Sequence, residues 1–344
     1  MLVALINPAS GDSTAPAFFE KHVFPRLHFD HTIYHQHYHH IADTVVIGSG
    51  DGTIHDLINA KYPLPLKLVI VPSGTANALY ASLFHPVQPQ DRLRSVDAYL
   101  NKSVPIPLSI ARTTITASQN PILSVVVVST SLHASILHHS EALRKEHPGL
   151  ERFKIAAEQN APHWYNASVK LHGKVEIYDP SSNSFVSHPE NTLQGPFVYF
   201  LSTVNVDRLE PAFRISPLAR TIPPPISTCD IVIIRPLRHP SISADSTQSR
   251  ADFVATTWKT LTGAYADGAH VHFTYRPDGS IDEKGEHQGP SVVEYIRCAG
   301  WEWIPDPDDH NAHLLCADGS IFHIPPHGTA TTSILEDHPY SVYT

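Results

Sequence analysis

Over the first hundred residues the apolar positions gather into short unbroken runs. Each run is followed by a polar, glycine-bearing stretch and then by an apolar stripe of helical spacing. LVALIN opens the chain, the loop PASGDSTAP follows, and Phe18, Phe19 and Val23 recur at helical intervals. TVVIG leads to Ile54, Leu57 and Ile58 at i, i+3 and i+4, and KLVIVP leads to Leu79 and Leu83. Unbroken apolar strands alternating with helices predict a parallel sheet covered on both faces.

From about residue 105 the pattern changes. ILSVVVVST, ASVKLHGKVEIYD, PFVYFLSTVNV, DIVIIRPL, HVHFTYRPDG and VVEYIRCAGWEW read as strands separated by short turns, with His172-Gly173 and Asp278-Gly279 as hairpin turns. One helical segment runs over 139–160, broken at Pro148. Residues 181–195 and 239–249 read as surface loops. The expected organisation is an α/β domain over 1–105, an antiparallel β-sandwich over 106–330 with a helical insertion at about 139–160, and a C-terminal tail over 331–344.

Composition narrows the function classes. The 344-residue chain has a net charge of -9 and a pI of about 6.2, which argues against a nucleic-acid footprint or a polybasic membrane patch. MLVALINP is too short for the core of a signal peptide, and no apolar run is long enough to cross a bilayer. Cys229, Cys298 and Cys316 have no paired or metal-type spacing, so a reduced, intracellular setting is expected. Among the 25 histidines, His31, His35, His37, His39 and His40 show HxH and HH spacing of the kind that binds metal. With no second ligand cluster nearby, a partly exposed polar strand and loop is the expected reading. His55, His138 and His139 are expected to face solvent or to support the site from behind.

The chemistry concentrates in the loops after the apolar runs. In GSGDGTIHDLINA, Gly48, Gly50 and Gly52 allow close backbone approach, and Thr53 with Asp56 is spaced as a capping box. A helix N-terminus there would aim free N–H groups at an anion. Ser73-Gly74-Thr75-Ala76-Asn77 repeats the device, and both loops belong on the carboxyl edge of a parallel sheet, where such folds bind ligands. Neither loop carries the GK[ST] of a P-loop. The first lacks the third glycine of a dinucleotide fingerprint and sets Asp51 where a pyrophosphate would lie, which disfavours a nicotinamide-dependent oxidoreductase. An acid at this position suits a base that deprotonates a hydroxyl attacking a phosphoryl group, or a ligand that helps hold Mg²⁺. The plainer alternative is a pair of tight turns with Asp51 as a helix-start acid.

Asn7-Pro8 after the first strand, Ser49-Gly50-Asp51-Gly52 after the second and Pro72-Ser73-Gly74-Thr75-Ala76-Asn77-Ala78-Leu79 after the third resemble the successive motifs of the diacylglycerol kinase catalytic-domain family. The SGDG form, the GTANAL…SLF continuation, and Ser140-Glu141-Ala142-Leu143-Arg144 with Gly149-Leu150-Glu151-Arg152-Phe153 look most like the sphingosine kinases. The resemblance covers most of the chain, weakly in the β-rich half. It implies a Rossmann-like, phosphofructokinase-like nucleotide-binding domain joined to a β-sandwich lipid domain, α+β overall. It further implies ATP- and Mg²⁺-dependent phosphorylation of a lipid hydroxyl. With no basic amphipathic helix and a negative net charge, a cytoplasmic enzyme that visits a membrane transiently, without nucleic-acid partners, is expected.

Carried over by position, Asp51 is the general base, with Mg²⁺ as a further possible partner. Asn7, Pro8, Ala9, Ser49, Gly50, Asp56, Gly74, Thr75, Ala76, Arg144, Arg152, Asp318 and Gly319 meet the nucleotide. Ser49, Gly50, Asp51, Gly52 and Leu137 meet the lipid. For Asp318-Gly319 an ordinary hairpin turn is the alternative. The implied substrate is a sphingoid base, with diacylglycerol or another lipid alcohol as one alternative and a non-catalytic lipid- or nucleotide-binding member as the other. Four positions depart from the family. ASGDSTA places Asp12 where the first loop usually carries glycines and lysines. Leu137 stands where sphingosine kinases have an aspartate, and Ser320 replaces an acid. Residues 31–43 are short for a strand and a crossover helix.

Overall fold

The computed structural model describes residues 1–34, 42–60, 64–86, 91–147, 149–284 and 289–344. It contains the two kinds of layer that the periodicity predicts. The strands Leu2–Ile6, Thr44–Ser49 and Leu66–Pro72 pair in parallel at the centre of a six-stranded sheet, and their apolar runs are buried almost throughout. His31–Tyr34 pairs in parallel with Leu2–Ile6 and forms one edge. The strand expected between the first two motifs is therefore present. His35, His37, His39 and His40 lie outside the described residues. Among the described residues no group of three or more His, Cys, Asp or Glu is placed to hold a metal ion.

The other edge corrects an expectation. Residues 331–344 are no tail: Tyr340–Val342 pairs in parallel with Leu66–Leu68, and Ile106–Pro107 closes the sheet antiparallel to it. Tyr340 and Val342 are buried. The reason is simple geometry, since Leu66–Pro72 is apolar on both faces and needs a partner on its open side.

The remainder folds into an eight-stranded and a six-stranded antiparallel sheet. Their shared core holds Phe197, Phe200, Trp301 and Trp303, fully buried, with ring centroids 4.9 Å apart for Phe200–Trp301 and 5.1 Å for Phe197–Trp303. Asp278-Gly279 is the hairpin expected, joining Thr274–Tyr275 to Ile281–Asp282. His172-Gly173 is not. Ala167–His172 belongs to the six-stranded sheet and Glu176–Asp179 to the eight-stranded one, so this turn carries the chain between layers. The expected loop 181–195 contains the strands Ser184–Ser187 and Thr192–Gln194.

The helices differ most from expectation. The insertion begins at Ser131 rather than 139, as Ser131–Ala142, and resumes as Glu151–Asn160; Pro148 lies outside the described residues. Apolar and small residues on Ser131–Ala142 were masked by the adjoining strand-like run VVVVST. Thr247–Tyr265, the longest helix, runs out of the expected loop 239–249. Its threonines at 256, 257, 260 and 262 and its valine at 254 weaken any helical signal in the sequence. A Ser246–Ser249 capping box starts it and burial of Phe253, Thr257 and Leu261 holds it in place. No helix among the described residues is long and apolar enough to cross a membrane.

Candidate functional site

The three loops after the central strands converge backbone against backbone. A Cβ on Gly50 would lie 2.8 Å from the Cα of Gly74, and a Cβ on Gly11 would lie 2.3 Å from the carbonyl oxygen of Ser73. Neither contact tolerates a side chain, and Gly11 also has a positive φ of 56°. Hydrogen bonds tie the same loops together. Gly50 N–H donates to Ser10 Oγ at 3.2 Å and Ser73 N–H donates to Ser49 O at 3.0 Å. Asn77 closes its own turn, accepting from Gly74 N–H at 2.8 Å and donating to Gly74 O at 2.7 Å.

Under the first two loops lies a small polar knot. Asn7 Nδ2 donates to Thr53 Oγ1 at 3.2 Å, and Ser49 Oγ is 2.6 Å from the same oxygen. Thr53 is thus not the helix cap expected from the capping-box spacing. The helix Asp51–Asn59 starts two residues earlier with Gly50 as its N-cap, and Thr53 instead joins the strand ends to it.

These loops form one side of a cleft of ≈ 700 Å³. Ala9, Gly74, Thr75 and Ala76 line it from the first domain, as expected, and Arg144 and Arg152 line it from the second. Asn7, Pro8, Ser49 and Gly50 do not reach its surface; Asn7, Ser49 and Gly50 shape the loops from beneath. Arg152 is half-buried, with its guanidinium carbon 4.6 Å from the Phe153 ring centroid. Arg144 is exposed and paired with Glu141 at 3.0 Å.

Sequence reasoning missed Arg92. It lines the cleft beside Asp12, its guanidinium carbon 4.0 Å from the Phe18 ring centroid and its Nη2 bonded to Ser73 Oγ. Burial pulls its pKa down and the Asp12 carboxylate opposes that. Asp12 is held low by hydrogen bonds from Thr14 and, more weakly, by the charge of Arg92. The only signal in the sequence was a pair of arginines in DRLRS at a helix start, with nothing to say that it folds back over the first loop. Tyr80, Leu150 and Phe153 also line the cleft and supply its apolar surface.

Asp51 sits just off the cleft, one residue beyond Gly50. Its carboxylate accepts from the N–H groups of Ala78 at 2.7 Å and Leu79 at 3.1 Å, at the start of the helix Ala78–Leu83. The side chain keeps some exposed surface, yet protein crowds its carboxyl group. That desolvation, with a smaller push from nearby Asp318, raises its pKa to about 6 against the two amide bonds that lower it. Both oxygens accept backbone bonds, and among the described residues no group of three His, Cys, Asp or Glu stands with Asp51 to help hold Mg²⁺.

Several expected contacts fall elsewhere. Asp318 is buried and accepts from the N–H groups of Val125, Val126 and Val127 at 2.8, 2.9 and 2.8 Å, with His55 Nδ1 at 3.4 Å. It ties the bend that joins the strands Ile122–Ser124 and Val127–Thr130 to the Asp318-Gly319 hairpin, where both residues have positive φ, and it does not line the cleft. Buried His55 is its support rather than a solvent-facing residue. Asp56 lies on the exposed face of its helix, away from the cleft. Leu137 packs half-buried against Ala134, Leu314, Cys316 and Ile321. Gly52 is exposed with open space where a side chain would stand. The three cysteines are buried free thiols.

Comparison with known proteins agrees with this geometry. Three solved structures that carry the diacylglycerol kinase name, all from Bacillus anthracis str. Sterne, superpose with TM-scores of 0.57, 0.54 and 0.53. They are 13%, 12% and 13% identical, over 100% of this chain and 97%, 96% and 96% of theirs. Likeness at that identity speaks for the fold. No curated protein sequence matches the chain. Residues 1–106 match the family model of the diacylglycerol kinase catalytic domain, and all three converging loops lie within them. Over residues 1–106 the chain is therefore similar to the catalytic domain of the diacylglycerol kinases.

Proposed function

We propose that the protein transfers the γ-phosphoryl group of ATP to a hydroxyl of a long-chain lipid. The observation that carries this reading is three glycine-bearing strand ends packed against one another, the first and third of which line an interdomain cleft together with Arg92, Arg144 and Arg152. Backbone amides at the loops and guanidinium groups on both domains are the donors a triphosphate needs. The fit rests on glycines that let the loops pack closely, with Gly74, Thr75 and Ala76 lining the cleft, and on the buried Nε donors of Arg92 and Arg152, which have no partner among the described residues. Gly74, Thr75 and Ala76 would meet the phosphates, and Leu150 and Phe153 would cover the apolar part of the nucleotide. Mg²⁺ would arrive on the phosphates, which supply most of its oxygen ligands, and would neutralise charge there.

In the proposed reaction the lipid oxygen bonds to the γ-phosphorus, the bond from that phosphorus to the bridging oxygen breaks, and ADP leaves. The hydroxyl proton passes to Asp51. A carboxylate with a pKa of about 6 is a stronger base than an ordinary one and is still ionised at neutral pH. Its bonds to Ala78 and Leu79, directly after the loop whose Gly74, Thr75 and Ala76 line the cleft, support that role.

The lipid is the less constrained partner. The SGDG and GTANAL forms favour a sphingoid base, whereas the apolar packing of Leu137 removes an ion-pairing partner for an ammonium head and favours an uncharged one such as diacylglycerol. A panel of lipid acceptors with labelled ATP separates them. Phosphorylation of diacylglycerol alone would discard the sphingoid reading. Transfer to neither would discard the lipid-kinase reading.

One observation favours a second reading. Both oxygens of Asp51 are spent on capping a helix, an arrangement that would equally serve a domain that binds nucleotide without transferring phosphate. ATP binding without turnover on any acceptor would establish it.

A further inference from the structure

Arg92 is built into the cleft more firmly than either arginine of the second domain. Its guanidinium lies over Phe18, donates from Nη2 to Ser73 Oγ, and donates from Nη1 to Thr14 Oγ1 at 3.4 Å. A guanidinium has five N–H donors, and these bonds use two. Nε is buried and has no partner among the described residues. Arg152, reaching the same cleft from the second domain, repeats the pattern, since its Nε is also buried and unpartnered. Leaving a buried donor unmade costs on the order of 1–3 kcal/mol. Two such donors on side chains that line one cleft are accounted for together by an acceptor-rich anion between the domains.

We infer that Arg92 is the phosphate-binding cation of the first domain, meeting a polyphosphate chain that Arg152 meets from the second. The inference rests on the nucleotide reading of the cleft. Stacking on Phe18 and tethering to two hydroxyls hold the fork in one orientation, which suits bidentate recognition of phosphate oxygens. It also explains how Asp12 is tolerated in the first loop. Arg92 stands beside it and offsets its charge, so the anion does not meet an uncompensated carboxylate there.

The test is calorimetric titration of the full chain with ATP, adenosine and inorganic tripolyphosphate, for the native protein and for Arg92→Ala, Arg92→Gln and Arg92→Lys. The expected result is a loss of about tenfold or more in affinity for ATP and tripolyphosphate in the alanine and glutamine variants. Adenosine binding should be unchanged and lysine should restore part of the loss. Arg92→Gln keeps the stem over Phe18 and an uncharged N–H donor at the level of Nε, so it reports on the guanidinium charge with less loss of packing than alanine. Native affinity for tripolyphosphate in a folded Arg92→Gln variant overturns the inference, as does an equal loss of adenosine and ATP, which would make Arg92 a scaffold for the loops. Failure of the native protein to bind tripolyphosphate overturns it too. Native binding of tripolyphosphate, lost in Arg92→Gln, with no binding of ATP would retire the kinase reading and keep this one.

Discussion

The carboxylate of Asp51 accepts a 2.7 Å hydrogen bond from the backbone N–H of Ala78, so the acid of the second loop caps the helix that follows the third. Leu79 N–H adds a second bond at 3.1 Å. One residue thereby couples the two glycine loops and holds a carboxylate against the positive end of a helix. The proposed catalytic role and this structural one are joined in it, and they separate under substitution.

Asp51→Asn keeps one acceptor oxygen, so the fold should survive with a stability loss of about 1–2 kcal/mol. Phosphoryl transfer should fall by on the order of 10²-fold or more, because an amide cannot take the proton. Turnover close to native in a folded variant would remove Asp51 from the chemistry. The pH dependence is distinctive. The folded-state pKa of about 6 lies above the ordinary 3.8, so the folded state binds more protons than the unfolded state between those values. Stability from this group is present at low pH and is lost as pH rises through about 6. The melting-temperature deficit of Asp51→Asn should therefore be larger at pH 4 than at pH 7, while native turnover rises with pH through about 6.

Gly50 and Gly74 touch through their Cα atoms, and no rotamer can relieve a collision there. In Gly74→Ala the new methyl would sit 2.4 Å from the Gly50 Cα. The loops must part, at a cost of about 1–3 kcal/mol. Because the same movement displaces the amides that line the cleft, ATP affinity should fall more steeply than stability. Gly52→Ala is the control, since nothing lies within 4 Å of its added carbon. If both variants bind ATP alike, the loop contact is not what shapes the cleft.

How much of this could be read from the chain is uneven, for physical reasons. The three central strands and their loops were legible because a buried parallel strand is an unbroken apolar run and glycine marks the turn. Gly74, Thr75 and Ala76 were singled out for that reason, whereas Ala9, Arg144 and Arg152 came from the resemblance of their segments to the family's motifs. Ser131–Ala142 was hidden because its first turn continues a β-branched run without a break. Tyr340–Val342 was hidden because three residues carry no periodicity, and their place depends on an open sheet edge some 270 positions earlier. Arg92 escaped because its role comes from stacking on Phe18 and bonding to Ser73, contacts that no local spacing encodes.

Asp318 illustrates a motif whose resemblance to the family implied ligand contact and whose surroundings show a scaffold. Its carboxylate satisfies three consecutive backbone N–H groups of Val125–Val127. Asp318→Asn places an amide N–H₂ against at least one of those donors. The expected cost is about 1–3 kcal/mol, with a lower melting temperature and with the apparent KM for ATP little changed. A selective rise in KM at unchanged stability would return Asp318 to the nucleotide.

The C-terminal strand offers the sharpest separation between a tail and a structural element. Ending the chain after Asp337 removes Tyr340–Val342 and with it the ladder partner of Leu66–Leu68. It also removes the bond from Tyr340 Oη to Ile58 O at 3.1 Å and the Ser95 Oγ bond to Tyr343 O at 2.6 Å. The bond from Ile70 N–H to Ser95 Oγ at 3.1 Å survives, but its acceptor loses its anchor. Tyr340, Val342 and Tyr343 each bury most of their surface, at about 1.5–3 kcal/mol for a side chain of this size, and the strand uncovered is apolar on both faces. An apolar strand with open N–H and C=O groups pairs with other chains. The truncated protein should therefore melt well below the full chain and aggregate on expression, although none of the deleted residues lines the cleft. Equal melting temperatures and a soluble monomer for both chains would show that the first sheet closes without its last strand.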